Sequence, residues 1–179
     1  MKNGIENEGH LISRAIGGDE DAYRRLLNSY KGRIFSYVYR IVKNYHDAEE
    51  ITFDTFVRCF KSLKSFDQTK TFSTWLYTIA HNLTVDFLRK NKQDYEYLDE
   101  RYPAKTDIVE DYEKKQKLDK IDQALTDLAP IDREIVVLFH KEEKSYDEIS
   151  GILKIPVSTI KTRLHRSRLK LRELLKGNG

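Results

Sequence analysis

Apolar residues return along this chain at steps of three and four rather than two, and the stripes they draw predict helices almost throughout. A short helix around Leu11 to Ile16 stops at Gly17 and Gly18. Asp19 is then placed to cap a long helix from about Glu20 to Val42, with an inner stripe of Tyr23, Leu26, Leu27, Tyr30, Ile34, Val38 and Ile41. Asp47 with Glu50 three residues on predicts a capping box opening a third helix, which runs to about Ser65 and turns Ala48, Ile51, Phe56, Cys59, Phe60 and Leu63 inward. After a polar break, FDQTK, the inward face of a fourth helix is Phe72, Trp75, Leu76, Ile79, Ala80, Leu83 and Phe87. Thr78, Asn82, Asp86 and Arg89 share its opposite face.

From Lys92 to about Tyr112 the periodicity fades into an acidic, Tyr-rich stretch broken by Pro103, which reads as a linker over 92–113. Helices resume over Lys114 to Leu128. Pro130 sits at a first-turn position, Ser145 and Glu148 have capping-box spacing, and Pro156 starts a last helix. The expected architecture is all-α: two small helical domains, 1–91 and 114–179, joined by a flexible acidic linker, the second containing a helix-turn-helix.

Charge divides the chain the same way. A net +3 over 179 residues hides a surplus of three cations in 1–91, a deficit of five in 92–113 and a surplus of five in 114–179. The single cysteine, Cys59, excludes an intrachain disulfide, and without neighbouring ligands it argues against structural zinc, so no metal or cofactor is expected. No signal-peptide core precedes the first stripe, and the longest strongly apolar run, IVVLF, is far too short for a bilayer. Membrane insertion is not expected, and the chain reads as cytoplasmic. Nor does it carry a Gly-rich phosphate loop or a nucleophile with a positioned base, so an enzyme is not expected.

The chemistry gathers in IPVSTIKTRLHRSRLKLRELL, where Ile160, Leu164, Leu171 and Leu174 form a stripe and cations fill the remaining positions. Alone, such a helix suits a solvated surface or a partner helix as well as DNA. A short capped helix and a tight turn immediately before it match a helix-turn-helix reader of the major groove. On that geometry Ser158, Lys161, Thr162, His165 and Arg166 are the candidates for base edges, while Arg163, Arg168 and Lys170 suit phosphates.

With both blocks in view, the chain resembles the extracytoplasmic-function (ECF) sigma factors of bacterial RNA polymerase, within the sigma-70 family. GDEDAYRRLLNSYKGRIFSYVYRIVKNYHDAEEI and TFSTWLYTIAHNLTVDFLRK resemble the second sigma region. LAPIDREIVVLFHKEEKSYDEISGILKIPVSTIKTRLHRSRLKLRELL resembles the fourth. The resemblance implies a protein that binds core polymerase and directs promoter-specific initiation. Its first block would dock on the clamp of the largest subunit and read the −10 element as it melts. Its second would sit on the flap of the other large subunit and read duplex at −35.

By the same resemblance, Asp47, Glu50, Phe53 and Asp54 fall on the clamp-binding surface, although Phe53 stands where the family usually has glutamine and Asp54 where it has glutamate. The loop Ser65 to Lys70, with Phe66, Asp67, Gln68 and Lys70, would take up a flipped −10 base. Asn82 would reach that base, and Arg89, Lys90 and Lys92 would meet phosphates upstream. Phe72, Trp75 and Tyr77 suit either base stacking or core packing. A membrane-associated anti-sigma factor is implied as a partner, and the acidic linker would thread the channel later filled by RNA. The alternatives are a free-standing helix-turn-helix regulator, which would bind duplex tightly without polymerase, and a helical adaptor with no salt-dependent DNA affinity.

Overall fold

A computed structural model of the chain describes residues 8–90 and 121–176. Seven α-helices are labelled in chain order: α1 (Glu8–Ile16), α2 (Glu20–Val42), α3 (Tyr45–Ser62), α4 (Phe72–Lys90), α5 (Pro130–His140), α6 (Tyr146–Leu153) and α7 (Val157–Lys176). A 3-10 turn, Leu63–Ser65, extends α3, and residues 121–126 are helical before α5. The linker expected over 92–113, with Lys92, lies outside the described residues.

Local chemistry sets most of the boundaries. Gly18 takes φ +93°, and Asp19 then caps α2 by accepting from the N–H groups of Asp21 and Ala22 at 3.0 Å each. Arg14 reaches the same carboxylate at 2.6 Å, tying α1 to the start of α2. Lys43 ends α2 in the left-handed region at φ 59°, its N–H bonded to Tyr39 O. That reversal moves the next cap upstream of the expected one. Asn44, in extended backbone, accepts from Asp47 N at 3.2 Å, so α3 starts at Tyr45 and Asp47 lies within its first turn. There its negative charge still favours the helix dipole. Pro130 and the reciprocal Ser145–Glu148 capping box stand where the sequence places them.

In the first block α2 packs against α1, α3 and α4, and the fully buried Ala22, Ala48 and Ala80 let the helices approach closely. Phe60 is the exception to the expected α3 stripe: it is 54% exposed, because no element among the described residues covers the groove between α2 and α3. The Tyr23 ring meets it edge to face at 4.9 Å. In the second block α5 and α6 pack on α7 through Ile135, Leu138, Ile149, Ile152, Ile160 and Leu164.

The two blocks meet where α5 lies on α2 and α6 lies on α4, along a seam where the apolar cores of both are continuous beside a network of polar contacts. Glu134 accepts from the Tyr37 hydroxyl and faces His81 Nδ1 at 2.7 Å. Glu142 accepts from the Tyr77 hydroxyl and from Arg33 at 3.1 Å. Lys144 donates to the Ser73 hydroxyl, and Thr74 donates to Glu148 at 2.7 Å. The Tyr37 and Tyr77 rings meet edge to face at 5.2 Å. Burial, then the adjacent carboxylate, raises both phenol pKa values, so each hydroxyl remains a donor.

Glu148 gives the seam an acid limit. Burial pushes its carboxyl upward, but this is outweighed by bonds from the Ser145 backbone, Thr74 and the Ser145 hydroxyl and by the charge of Lys144, which together hold it at about 2. Its pKa is lower in the folded state than the ordinary 4.5, so its stabilisation is complete above about pH 4.5 and is lost as pH falls towards 2. After allowance for solvent screening this is worth about 1–2 kcal/mol. Denaturant unfolding between pH 2.5 and 6 should show that slope shrinking in Glu148→Gln; an unaltered slope would remove Glu148 as its source.

Candidate nucleic-acid interface

The helix-turn-helix is built from α6, a turn at Lys154 (φ 59°) and α7. Ile160, Leu164 and Ser167 bury one side of α7, while Leu171 and Leu174 are half-buried. The small Ser167 continues the buried stripe between Leu164 and Leu171, where the apolar pattern had a gap. Opposite, Ser158, Lys161, Thr162, His165 and Arg166 are all exposed, so the structure brings the expected base-reading residues onto one surface. Lys161 also lies over the Tyr146 ring at 5.3 Å, which steers it from below.

The expected phosphate contacts prove to be anchored. Arg163 donates to Asp132 of α5 at 2.8 Å. Arg168 stacks on Phe139 at 5.1 Å and donates to His140 Nε2 at 3.2 Å, and Lys170 donates to Asp127 O. Burial and the Arg168 charge hold the His140 imidazole below its usual pKa, so it accepts from Arg168 as a neutral ring. Asp132, Ser158, Thr159, Thr162, Arg163 and Arg166 line an open cleft of about 370 Å³ at the amino-terminal end of α7. The part played by Asp132 and by His140 has no local signature in the sequence, because their partners are 31 and 28 residues away.

On the first block, the loop before α4 is pinned rather than loose. Phe66 is 7% exposed and packs on Phe72 and Trp75 at 5.5 and 4.8 Å, so its ring belongs to the core. Phe72 is buried with it, Trp75 is half-buried, and Tyr77 is spent on the seam. Asp67 accepts from the Thr69 hydroxyl at 2.7 Å and its N–H at 3.0 Å, Gln68 accepts from Ser13 at 3.1 Å, and Lys70 is exposed. Those Thr69 bonds, with Lys70 nearby, hold the Asp67 carboxyl below its ordinary pKa. Asn82 is exposed on α4, one residue past the seam's His81. Arg89 pairs with Asp86 at 3.0 Å, and Lys90 is exposed beside it.

On α3, Glu50 and Asp54 are exposed and Asp47 is half-exposed along one acidic ridge. Phe53, 69% exposed, stands between that ridge and the α2–α3 groove, an apolar cavity of about 1040 Å³ that includes Tyr45, Phe56 and Phe60. Thr52, at its floor, keeps a buried hydroxyl without a hydrogen-bond partner. Among the described residues no helix is long and apolar enough to cross a membrane, and no group of His, Cys, Asp and Glu is placed to hold a metal ion.

These surfaces can be compared with known proteins. The family model for Sigma-70 region 2 matches residues 26–93, and that for Sigma-70 region 4 matches residues 118–171. The chain is 40% identical over 178 residues to the ECF RNA polymerase sigma factor SigW of Bacillus subtilis, covering 92% of this chain and 95% of that protein. Its fold is similar to that of the sigma factor RpoE of Bartonella quintana, solved with the anti-sigma factor NepR: TM-score 0.74, 24% identity, 86% of this chain and 96% of the other. It is also similar to CnrH, solved with the cytosolic domain of CnrY: TM-score 0.72, 22% identity, 96% of this chain and 99% of the other. Two family models falling on the two helical blocks in order, together with a relative of this identity along the full length, place the chain in the ECF RNA polymerase sigma factors.

Proposed function

We propose a division of labour for this sigma factor: the exposed face of α7 reads duplex at −35, the α4 face around Asn82 with the 65–70 loop meets the melted −10 strand, and the α3 ridge holds the polymerase clamp. The observation that carries this is the sorting of α7. Its apolar side is consumed by α5 and α6, while Ser158, Lys161, Thr162, His165 and Arg166 are left together and exposed. Side chains at one end of a docked helix are what a major groove can accept, and Arg166 has the donor fork that suits guanine. Catalysis belongs to the polymerase, and the chain works in the cytoplasm. An anti-sigma factor is a further expected partner, in keeping with the solved complexes of RpoE with NepR and CnrH with CnrY.

Run-off transcription from a randomised promoter library, by core polymerase with and without the chain, tests the assignment. Transcripts that need the chain and share paired −35 and −10 motifs are the expected outcome; specific nanomolar duplex binding without polymerase would instead favour a free-standing regulator. In the same assay Arg166→Ala should relax preference at one −35 position by about 1–3 kcal/mol. A loss uniform over all sequences would make Arg166 a phosphate contact. Asn82→Ala should alter preference at a single −10 base, and unchanged selectivity there would remove it from the site.

A further inference from the structure

Among the described residues, Arg163 is the α7 cation that an acid neutralises. Arg168 and Lys170 are anchored too, but to a neutral imidazole, an aromatic face and a backbone carbonyl, which leave their charge available to DNA. Asp132 reaches Arg163 from the first turn of α5, and the two side chains are 25% and 40% exposed, so the pair sits in the wall of the open cleft rather than beneath it.

An acid on a surface that faces DNA weakens phosphate attraction. In a surface selected only for affinity it has no use. Phosphate attraction, however, is the same for every sequence, so cancelling part of it lowers binding at right and wrong sites by one factor, leaving discrimination to the base-edge contacts and keeping the chain from being held on arbitrary duplex. The position of the pair fits this, because Ser158, Thr162 and Arg166, the neighbours of Arg163 in the cleft, are among the residues expected to meet bases.

We propose that Asp132 is a positioning residue that also tempers duplex affinity: it pairs with Arg163, withdraws that charge from backbone attraction, and fixes the guanidinium as a wall of the cleft in which Ser158, Thr162 and Arg166 read sequence. This rests on the reading of α7 as the duplex-binding helix, and it reassigns Arg163 from phosphate ligand to framework.

The test is a salt titration of the full-length chain on a short labelled duplex of arbitrary sequence, which requires no knowledge of the promoter. One phosphate contact changes the slope of log K against log salt by about 0.9, or roughly eightfold in affinity near 0.1 M salt. Asp132→Ala should steepen the slope by about that amount. Arg163→Ala alone, which leaves the Asp132 carboxylate unpaired, should flatten it, and the double variant, with neither charge, should return it to the parental value. Asp132→Asn, which keeps the shape and an acceptor oxygen, should behave as Asp132→Ala and guards against loss of folding. On promoter templates the released charge should raise on-site and off-site binding by the same factor, so a fall in their ratio reports the loss of the cleft wall.

A slope flatter than the parental one in the double variant would make Arg163 an ordinary phosphate ligand and overturn the proposal. So would parental slopes in both Asp132 variants. Absence of any salt-dependent duplex binding by the parent chain would instead reject the duplex reading of α7, and this inference with it.

Discussion

Arg133→Ala is expected to lower the free energy of unfolding by about 3–5 kcal/mol, more than other single side-chain truncations along the seam. The side chain is 8% exposed and donates to the carbonyls of Leu125, Thr126 and Leu128, and across the seam to those of Arg40 and Ile41 near the end of α2. A guanidinium suits that place because its planar fork serves several acceptors and its charge meets the negative end of the α2 dipole. Alanine strands those carbonyls in a desolvated pocket, and each orphaned acceptor costs on the order of 1–3 kcal/mol, partly recovered where water enters. Lysine keeps the charge but loses the fork, and should fall between. Urea unfolding followed by circular dichroism measures the effect; a change below about 1 kcal/mol would show that water replaces the arginine without penalty.

Phe53→Asp should weaken binding to core polymerase by about 3 kcal/mol, on the order of 100-fold, while thermal stability is unchanged. Stability is spared because the ring is 69% exposed and its loss opens no cavity. Binding suffers because an exposed aromatic flanked by Glu50, Asp54 and an open groove has the make-up of an interface anchor, apolar at its centre and charged at its rim. If the α3 ridge is the clamp contact, a carboxylate at 53 would lose water there without a compensating partner. Phe53→Ala, which removes only the anchor, should lose less. Titration of labelled chain with core polymerase decides it: affinity within threefold of the parent for both variants would move the clamp contact elsewhere on the first block.

What was legible in the sequence was whatever a few neighbouring residues decide. Asp19, Pro130 and the Ser145–Glu148 box each act within one turn, and each boundary they mark is observed. The start of α3 shows the limit of that logic. Asn44–Asp47 and Asp47–Glu50 have the same spacing, and the choice between them is made by the left-handed turn at Lys43, which the pattern does not encode. Phe60 was assigned inward because its spacing fits the stripe, yet whether a face is covered depends on an element elsewhere in the chain. The seam escaped sequence reading for the same reason. Glu134, Glu142 and Lys144 look like a solvated run until Tyr37, Tyr77 and Ser73 supply partners 65 to 97 residues away. At the site, the exposed face of α7 followed from helical period, whereas the anchoring of Arg163 depends on Asp132, 31 residues away, which local spacing does not connect to it.

A junction made of carboxylates, phenols, an ammonium and guanidinium groups comes apart differently from an apolar one. On separation each group regains its hydration, and this offsets much of what these contacts contributed, so the polar part of the junction favours the joined form by less than its number of bonds suggests. A partner that accepts only the separated form has its apparent affinity reduced by the fraction of chains separated, tenfold for each ~1.4 kcal/mol of preference. For such a partner, substitutions at Tyr37, His81 or Glu142 would set the share of molecules ready to bind, although none of the three lies on a surface assigned to polymerase or DNA.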